Sequence, residues 1–220
     1  MNKKMDILYE DKNLLIVNKP SHLLTIASSK EKINTLYQNA SMYVKKQYPK
    51  NKVFIVNRLD KDTSGIVVFA KNEEMKKKLQ NNWNELAMIR EYRAIVEGKM
   101  PKEKDTLESY LVEDKTLTVH ISNKENGQKA ITHYEVLEYQ NTYSYLKIKI
   151  DTGKKNQIRV QLSALGNPII GDKKYGAKRN PINRMGLHAN YLELKVPGYK
   201  EVLKIEAKIP REFKRMFERK

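Results

Sequence analysis

Residues 53–71 gather the side chains best equipped for chemistry. Arg58, Asp60, Asp62, Thr63 and Ser64 lie between two apolar runs, Val53-Phe54-Ile55-Val56 and Ile66-Val67-Val68-Phe69. Two β-branched-rich runs around a polar centre predict strand, tight loop, strand. Gly65 suits the exit from such a loop, because glycine takes backbone angles closed to other residues. A carboxylate beside an arginine, pinned between buried strands, is held firmly enough to act as an acid, a base or a nucleophile. Aspartate is also a common turn residue, and on spacing alone the turn-cap reading of Asp60 and Asp62 is the stronger.

The elements that would position this loop follow from periodicity. Residues 6–20 give two short strands about an Asp11-Lys12-Asn13 turn. Lys19-Pro20 ends the second strand, since proline cannot donate to a ladder, and Lys19 reads as a solvated strand end. Residues 34–48 carry Leu36, Tyr37, Ala40, Tyr43 and Val44 at helical spacing, with Asn34 as N-cap and Pro49 as stop. A second helix is predicted over 72–86, with Glu73 and Glu74 at its positive end, Lys76, Lys77 and Lys78 on a solvated face and Trp83 in the core. A strand over 89–98 precedes a meander of strands at 106–112, 117–121, 129–139 and 143–151. Asn126-Gly127 is the strongest hairpin signal in it, and Gln140-Asn141-Thr142 is a further turn. A short helix over 157–165 has Asn156 as N-cap, Gly166 as stop and Ile158, Leu162 and Leu165 as its buried stripe. Strands over 186–195 and 201–207 and a basic amphipathic helix over 210–220 complete the chain.

Bulk composition narrows the function classes. The 220 residues can bury a sizeable core, and their net charge of +17 favours a polyanionic partner, of which nucleic acid is the commonest. No run of about eighteen apolar residues suggests a membrane span. The first residues lack the apolar stretch of a secretory signal. The absence of cysteine excludes disulfides and thiolate metal sites and suits a reducing cytosol. The four histidines are scattered, so no metal site is expected.

The order Arg58-Leu59-Asp60, Thr63-Ser64-Gly65, then an apolar strand ending Ala70-Lys71, closely resembles the signature of the RluA-type RNA pseudouridine synthases. A second stretch resembles another hallmark of that family: Thr152-Gly153-Lys154, then Gln157-Ile158-Arg159-Val160, then Gly166-Asn167-Pro168-Ile169-Ile170-Gly171-Asp172 and Tyr175-Gly176. Lys19-Pro20 and Leu187-His188-Ala189 match further segments, and the likeness covers nearly the whole chain. The chain departs from the family at Asn57, Asn156 and Gln161, where histidine is usual, and at Ser21-His22, where a small residue and glycine are usual.

The resemblance implies an α+β fold: a mixed, mainly antiparallel central sheet with flanking helices and an RNA cleft across it. Residues 1–220 would form a single catalytic domain without a separate S4-type RNA-binding module. The reaction would be isomerisation of chosen uridines in structured RNA, with large-subunit ribosomal RNA as the first choice of substrate and transfer RNA as the next. Asp60 would be the catalytic carboxylate and Arg159 its ion-pair partner, matched through a planar two-point fork. Tyr92 would stack on the uracil and receive or relay a proton. Arg58 and Lys154 would contact RNA, and His188 would be structural. No cofactor or metal is implied, and the expected state is a cytoplasmic monomer.

Two other classes remain open at this point. An RNA-binding or ribosome-assembly factor on the same fold is motivated by the three lost histidines. A carboxylate-based glycosidase would want a second positioned acid, for which Asp62 is the only close candidate.

Overall fold

The computed structural model describes residues 5–27, 34–140 and 142–218. In chain order the strands are β1 (Asp6–Glu10), β2 (Leu14–Lys19), β3 (Phe54–Ile55), β4 (Ser64–Ala70), β5 (Ala87–Glu97), β6 (Lys104–Glu113), β7 (Val119–Ser122), β8 (Gln128–Gln140), β9 (Tyr143–Ile150), β10 (Leu187–Leu194) and β11 (Leu203–Glu206). The helices are α1 (Leu36–Gln47), α2 (Glu73–Asn81), α3 (Trp83–Leu86), α4 (Gln157–Ala164) and α5 (Arg211–Phe217). A 3-10 turn covers Lys173–Tyr175. Antiparallel ladders dominate and the helices are few, as expected for the α+β class. By their internal contacts the residues fall into two compact units, Met1–Met88 with Ala189–Lys208, and Ile89–His188 with Ile209–Lys220.

In the first unit β2 pairs antiparallel with β1 and with β4, the latter in register from Leu14↔Ala70 to Lys19↔Gly65. β10 lies beside β4, β11 pairs with β10 and β3 with the far end of β4. Both faces of the β2–β4 pair are covered. Leu14, Ile16, Ile66 and Val68 pack with Met75 and Leu79 of α2 and with Leu192, Leu194 and Ile205. Leu15, Val17, Val67 and Phe69 pack with Leu36, Ala40 and Val44 of α1. A strand buried on two faces needs a continuous apolar run rather than alternation, and all of β4 is buried.

The second unit is the antiparallel order β5-β9-β8-β6-β7. Ala94, Val96, Leu146 and Ile148 on one face meet Ile158 and Leu162 of α4. Ile95 on the other face packs with Phe213 and Phe217 of α5, and Tyr145 stacks on Phe217 at 5.2 Å.

Several local expectations need correction. Thr35, not Asn34, caps α1: its side chain accepts from Gln38 N–H, while the Gln38 side chain accepts from Thr35 N–H. Asn34 instead takes a left-handed φ of 62°. The predicted helix over 72–86 breaks at Asn82, whose side chain donates to the Lys78 carbonyl and whose φ and ψ leave the helical region. Leu165 is exposed rather than part of the buried stripe. Asn126-Gly127 does turn the chain, but β7 and β8 are not neighbours, because β6 lies between them. Gly127 serves a close approach instead: a Cβ there would meet Tyr110 Cβ at 2.7 Å. The expected turn at 140–142 includes Asn141, and the expected last helix includes residues 219–220; these lie outside the described residues.

Candidate active site

The Asp60 loop belongs to the first unit. Val56 N–H donates to the Val68 carbonyl of β4 at 3.1 Å, but residues 57–60 that follow form neither helix nor strand. Residues 19–25 supply side-chain partners instead. Lys19 is fully buried rather than solvated, and its ammonium donates to the carbonyls of Pro20 at 3.0 Å, Leu23 at 2.7 Å and Lys61 at 2.9 Å. A buried cation is tolerable only when its donors are engaged, and an ammonium has three. Ser21 Oγ donates to the Asp62 carbonyl at 2.6 Å, and His22 Nδ1 lies 2.9 Å from Asp62 Oδ1. His22 holds φ at 63°, a left-handed conformation that explains why glycine suits this step and that costs a histidine some strain.

The loop closes through Thr63 N–H on the Asp60 carbonyl at 3.2 Å. Beyond it Gly65 has φ 118°, and a Cβ there would overlap the Ala189 carbonyl oxygen at 2.1 Å, so no larger residue fits. Asp60 itself is half-buried and Arg58 is exposed. Asn57 Oδ1 accepts from Val68 N–H at 2.8 Å, which extends the pairing of β4 by one side chain.

In the second unit β5 carries Arg90 and Tyr92 on one face, with Tyr92 opposite Ile148 of β9 and partly buried. Arg90 is buried and donates to the Asp151 carbonyl at 2.5 Å. Burial pushes its guanidinium pKa down, partly offset by Tyr92 and Asp151. Gly153 gives Arg90 its space, since a Cβ would come within 3.3 Å of Nη1. Gln157, the first residue of α4, fixes the Thr152-Gly153-Lys154 step. Its Oε1 accepts from Thr152 Oγ1 and from Lys154 N–H, while its Nε2 donates to Ile131 O and Thr132 Oγ1.

Arg159 lies one turn along α4 from that step. Its Nε donates to Asp172 Oδ2 at 2.7 Å and its Nη2 to Asp172 Oδ1 at 2.8 Å. Its guanidinium carbon stands 4.9 Å from the centre of the Tyr175 ring. The side chains of Arg159 and Asp172 are only 11% and 2% exposed. Asp172 is a partner that sequence reasoning missed. One signal was available: it is the lone acid between Asp151 and Glu193, in a stretch rich in lysine and arginine.

The remaining departures from the family pattern have structural roles. Asn156 Oδ1 accepts from Tyr175 Oη at 3.1 Å; it precedes α4 at φ 53° but makes no side-chain cap. Gln161 Nε2 donates to Leu107 O, Ser109 Oγ and Ala130 O. With Asn57, these are packing hydrogen-bonders, so their identity carries no argument against catalysis. His188 is 1% exposed and meets the Phe213 ring edge-on, in keeping with a structural role.

The first unit holds the Asp60 loop, and the second holds Tyr92, the buried Arg90 and the Arg159–Asp172 pair. Comparison with known proteins gives these parts their class. Residues 13–164 match the family model described as RNA pseudouridylate synthase. The chain belongs to that family, whose enzymes convert uridine to pseudouridine within RNA. It is 34% identical over 215 residues to the RNA pseudouridine synthase YhcT of Bacillus subtilis, covering 97% of this chain and 71% of that one. It is 37% identical over 214 residues to the ribosomal large subunit pseudouridine synthase C of Rickettsia prowazekii, covering 95% and 69%. The solved structure of human RNA pseudouridylate synthase domain containing 4 superposes with a TM-score of 0.78 at 25% identity, covering 94% of this chain and 90% of that one.

Proposed function

We propose that this pseudouridine synthase acts on uridines of large-subunit ribosomal RNA, with Asp60 as the catalytic carboxylate. The observation that carries the choice of RNA is the identity, along almost the full chain, to relatives named for the large ribosomal subunit. The net charge of +17 supports a structured polyanion as substrate.

Pseudouridine formation breaks the C–N glycosidic bond, turns the uracil and rejoins it to the ribose through carbon. Electrons balance within the nucleotide, so the chemistry calls for no oxidant, reductant or energy source. Asp60 acts at the junction of sugar and base, as nucleophile or as base toward the ribose. Arg159, in the second unit, is the further cation of the proposed catalytic machinery. Tyr92 offers a ring for the freed uracil and a hydroxyl for the proton that leaves C5.

A stacked uridine cannot present its glycosidic bond, so the target base must be turned out of the RNA. Loops and hairpin ends make that cheapest. Arg58 and Lys154 contribute contacts to the RNA backbone. We further propose that residues 1–220 work as one catalytic domain, as a monomer in the cytoplasm. Among the described residues no helix is long and apolar enough to cross a membrane.

The test is to incubate the purified protein with transcripts of large-subunit rRNA domains and with tRNA, and to map pseudouridine by chemical labelling. New pseudouridine in rRNA loops is expected. Modification confined to tRNA would overturn the choice of RNA.

A further inference from the structure

We propose that Thr25 is a positioning residue for Asp60. The inference rests on the catalytic role proposed for Asp60. The Thr25 hydroxyl donates to the Leu59 carbonyl at 2.8 Å and accepts from Leu59 N–H at 3.2 Å. One hydroxyl can do both, because it has one hydrogen and two lone pairs. It thereby replaces the strand neighbour that Leu59 lacks. The Leu59 carbonyl belongs to the same planar peptide as the Asp60 nitrogen and α-carbon, so pinning that oxygen fixes the plane from which Asp60 departs.

Thr25 is itself anchored. It is 2% exposed, its own carbonyl accepts from Tyr37 N–H at 3.0 Å, and the Leu24 carbonyl accepts from Leu36 N–H at 2.8 Å. These are N–H groups of the first turn of α1, which have no partner inside the helix. The helix start therefore holds Thr25, Thr25 holds Leu59, and Leu59 carries Asp60. On the far side the Lys61 carbonyl is held by Lys19 and the Asp60 carbonyl by Thr63. The peptides before and after the carboxylate are thus fixed by different elements, and Thr25 is the anchor on the Arg58-Leu59 side.

Valine matches threonine in shape but offers neither donor nor acceptor. In Thr25→Val the Leu59 peptide loses both partners and can rotate, and a displacement of about 1 Å at a reacting group costs roughly a hundredfold in rate. We expect kcat to fall by about 10- to 100-fold while KM for RNA stays within about twofold. Thr25→Ser keeps the hydroxyl and should restore kcat to within a few-fold of wild type. If Thr25→Val does not fold, Thr25→Ala removes the same hydroxyl with less crowding and should show the same loss. Asp60→Asn is assayed alongside. An inactive Asp60→Asn with Thr25→Val at wild-type kcat, a change confined to KM, or no rescue by serine would each overturn the positioning role. An active Asp60→Asn would instead overturn the role of Asp60 itself.

Discussion

Arg159 of α4 and Asp172 of the following loop form a two-point fork, with both carboxylate oxygens engaged and the guanidinium lying against the ring of Tyr175. The fork fixes the plane of the guanidinium as well as its position, which a single contact would not do. It also sets a carboxylate against a guanidinium whose side chain is only 11% exposed.

Asp172→Asn tests that arrangement. It keeps the shape but removes the charge that faces the buried Arg159 guanidinium. Breaking a buried pair at one partner costs about 3–5 kcal/mol, so urea denaturation should show a loss of that order. Turnover should fall as well, because Arg159 would no longer be held in one orientation. Unchanged stability would mean that the pair is dispensable.

The turn between β1 and β2 carries a pH-dependent contribution to stability. Burial pushes the Asp11 carboxyl up, but hydrogen bonds from Tyr199, the backbone of Leu14 and Asn13, and Tyr9 outweigh it and hold its pKa below the ordinary 3.8. A carboxylate with a lowered folded pKa stabilises fully above its unfolded value and loses that contribution as pH falls through the folded one. The melting-temperature difference between wild type and Asp11→Asn should therefore be constant near neutrality and shrink as pH drops below about 4. A gap that persists unchanged to about pH 2 would contradict this origin.

Arg58 is exposed next to the Asp60 loop, and its proposed role is a phosphate contact. Arg58→Ala should weaken RNA binding about equally across sequences. It should also lower the slope of log affinity against log salt by about one. Titrations at several salt concentrations measure that slope directly. An unchanged slope would remove Arg58 from the RNA interface.

Much of the fold was legible because the apolar runs are strong. Leu14–Val17 and Ile66–Ala70 could only be buried strands, and the ladder Leu14↔Ala70 confirms them. The Asn126-Gly127 signal misled because turn chemistry is local, whereas strand order depends on which strand covers β6. Lys19 misled for a related reason. A lysine before a proline looks solvated in sequence, and only the fold brings three carbonyls to one ammonium. The motifs around Asp60 and Arg159 were visible as words, but the groups that hold them were not. Thr25 lies 34 positions from Leu59 and Asp172 lies 13 positions from Arg159, separations at which no periodicity operates.

The central claim is that the Asp60 carboxylate performs the isomerisation. Its most direct test is single-turnover formation of pseudouridine by wild type and Asp60→Asn on the same rRNA fragment, with RNA binding measured in parallel. The account predicts that binding survives while the rate falls by about a thousandfold or more. A variant that binds and still forms pseudouridine within about tenfold of the wild-type rate would contradict it.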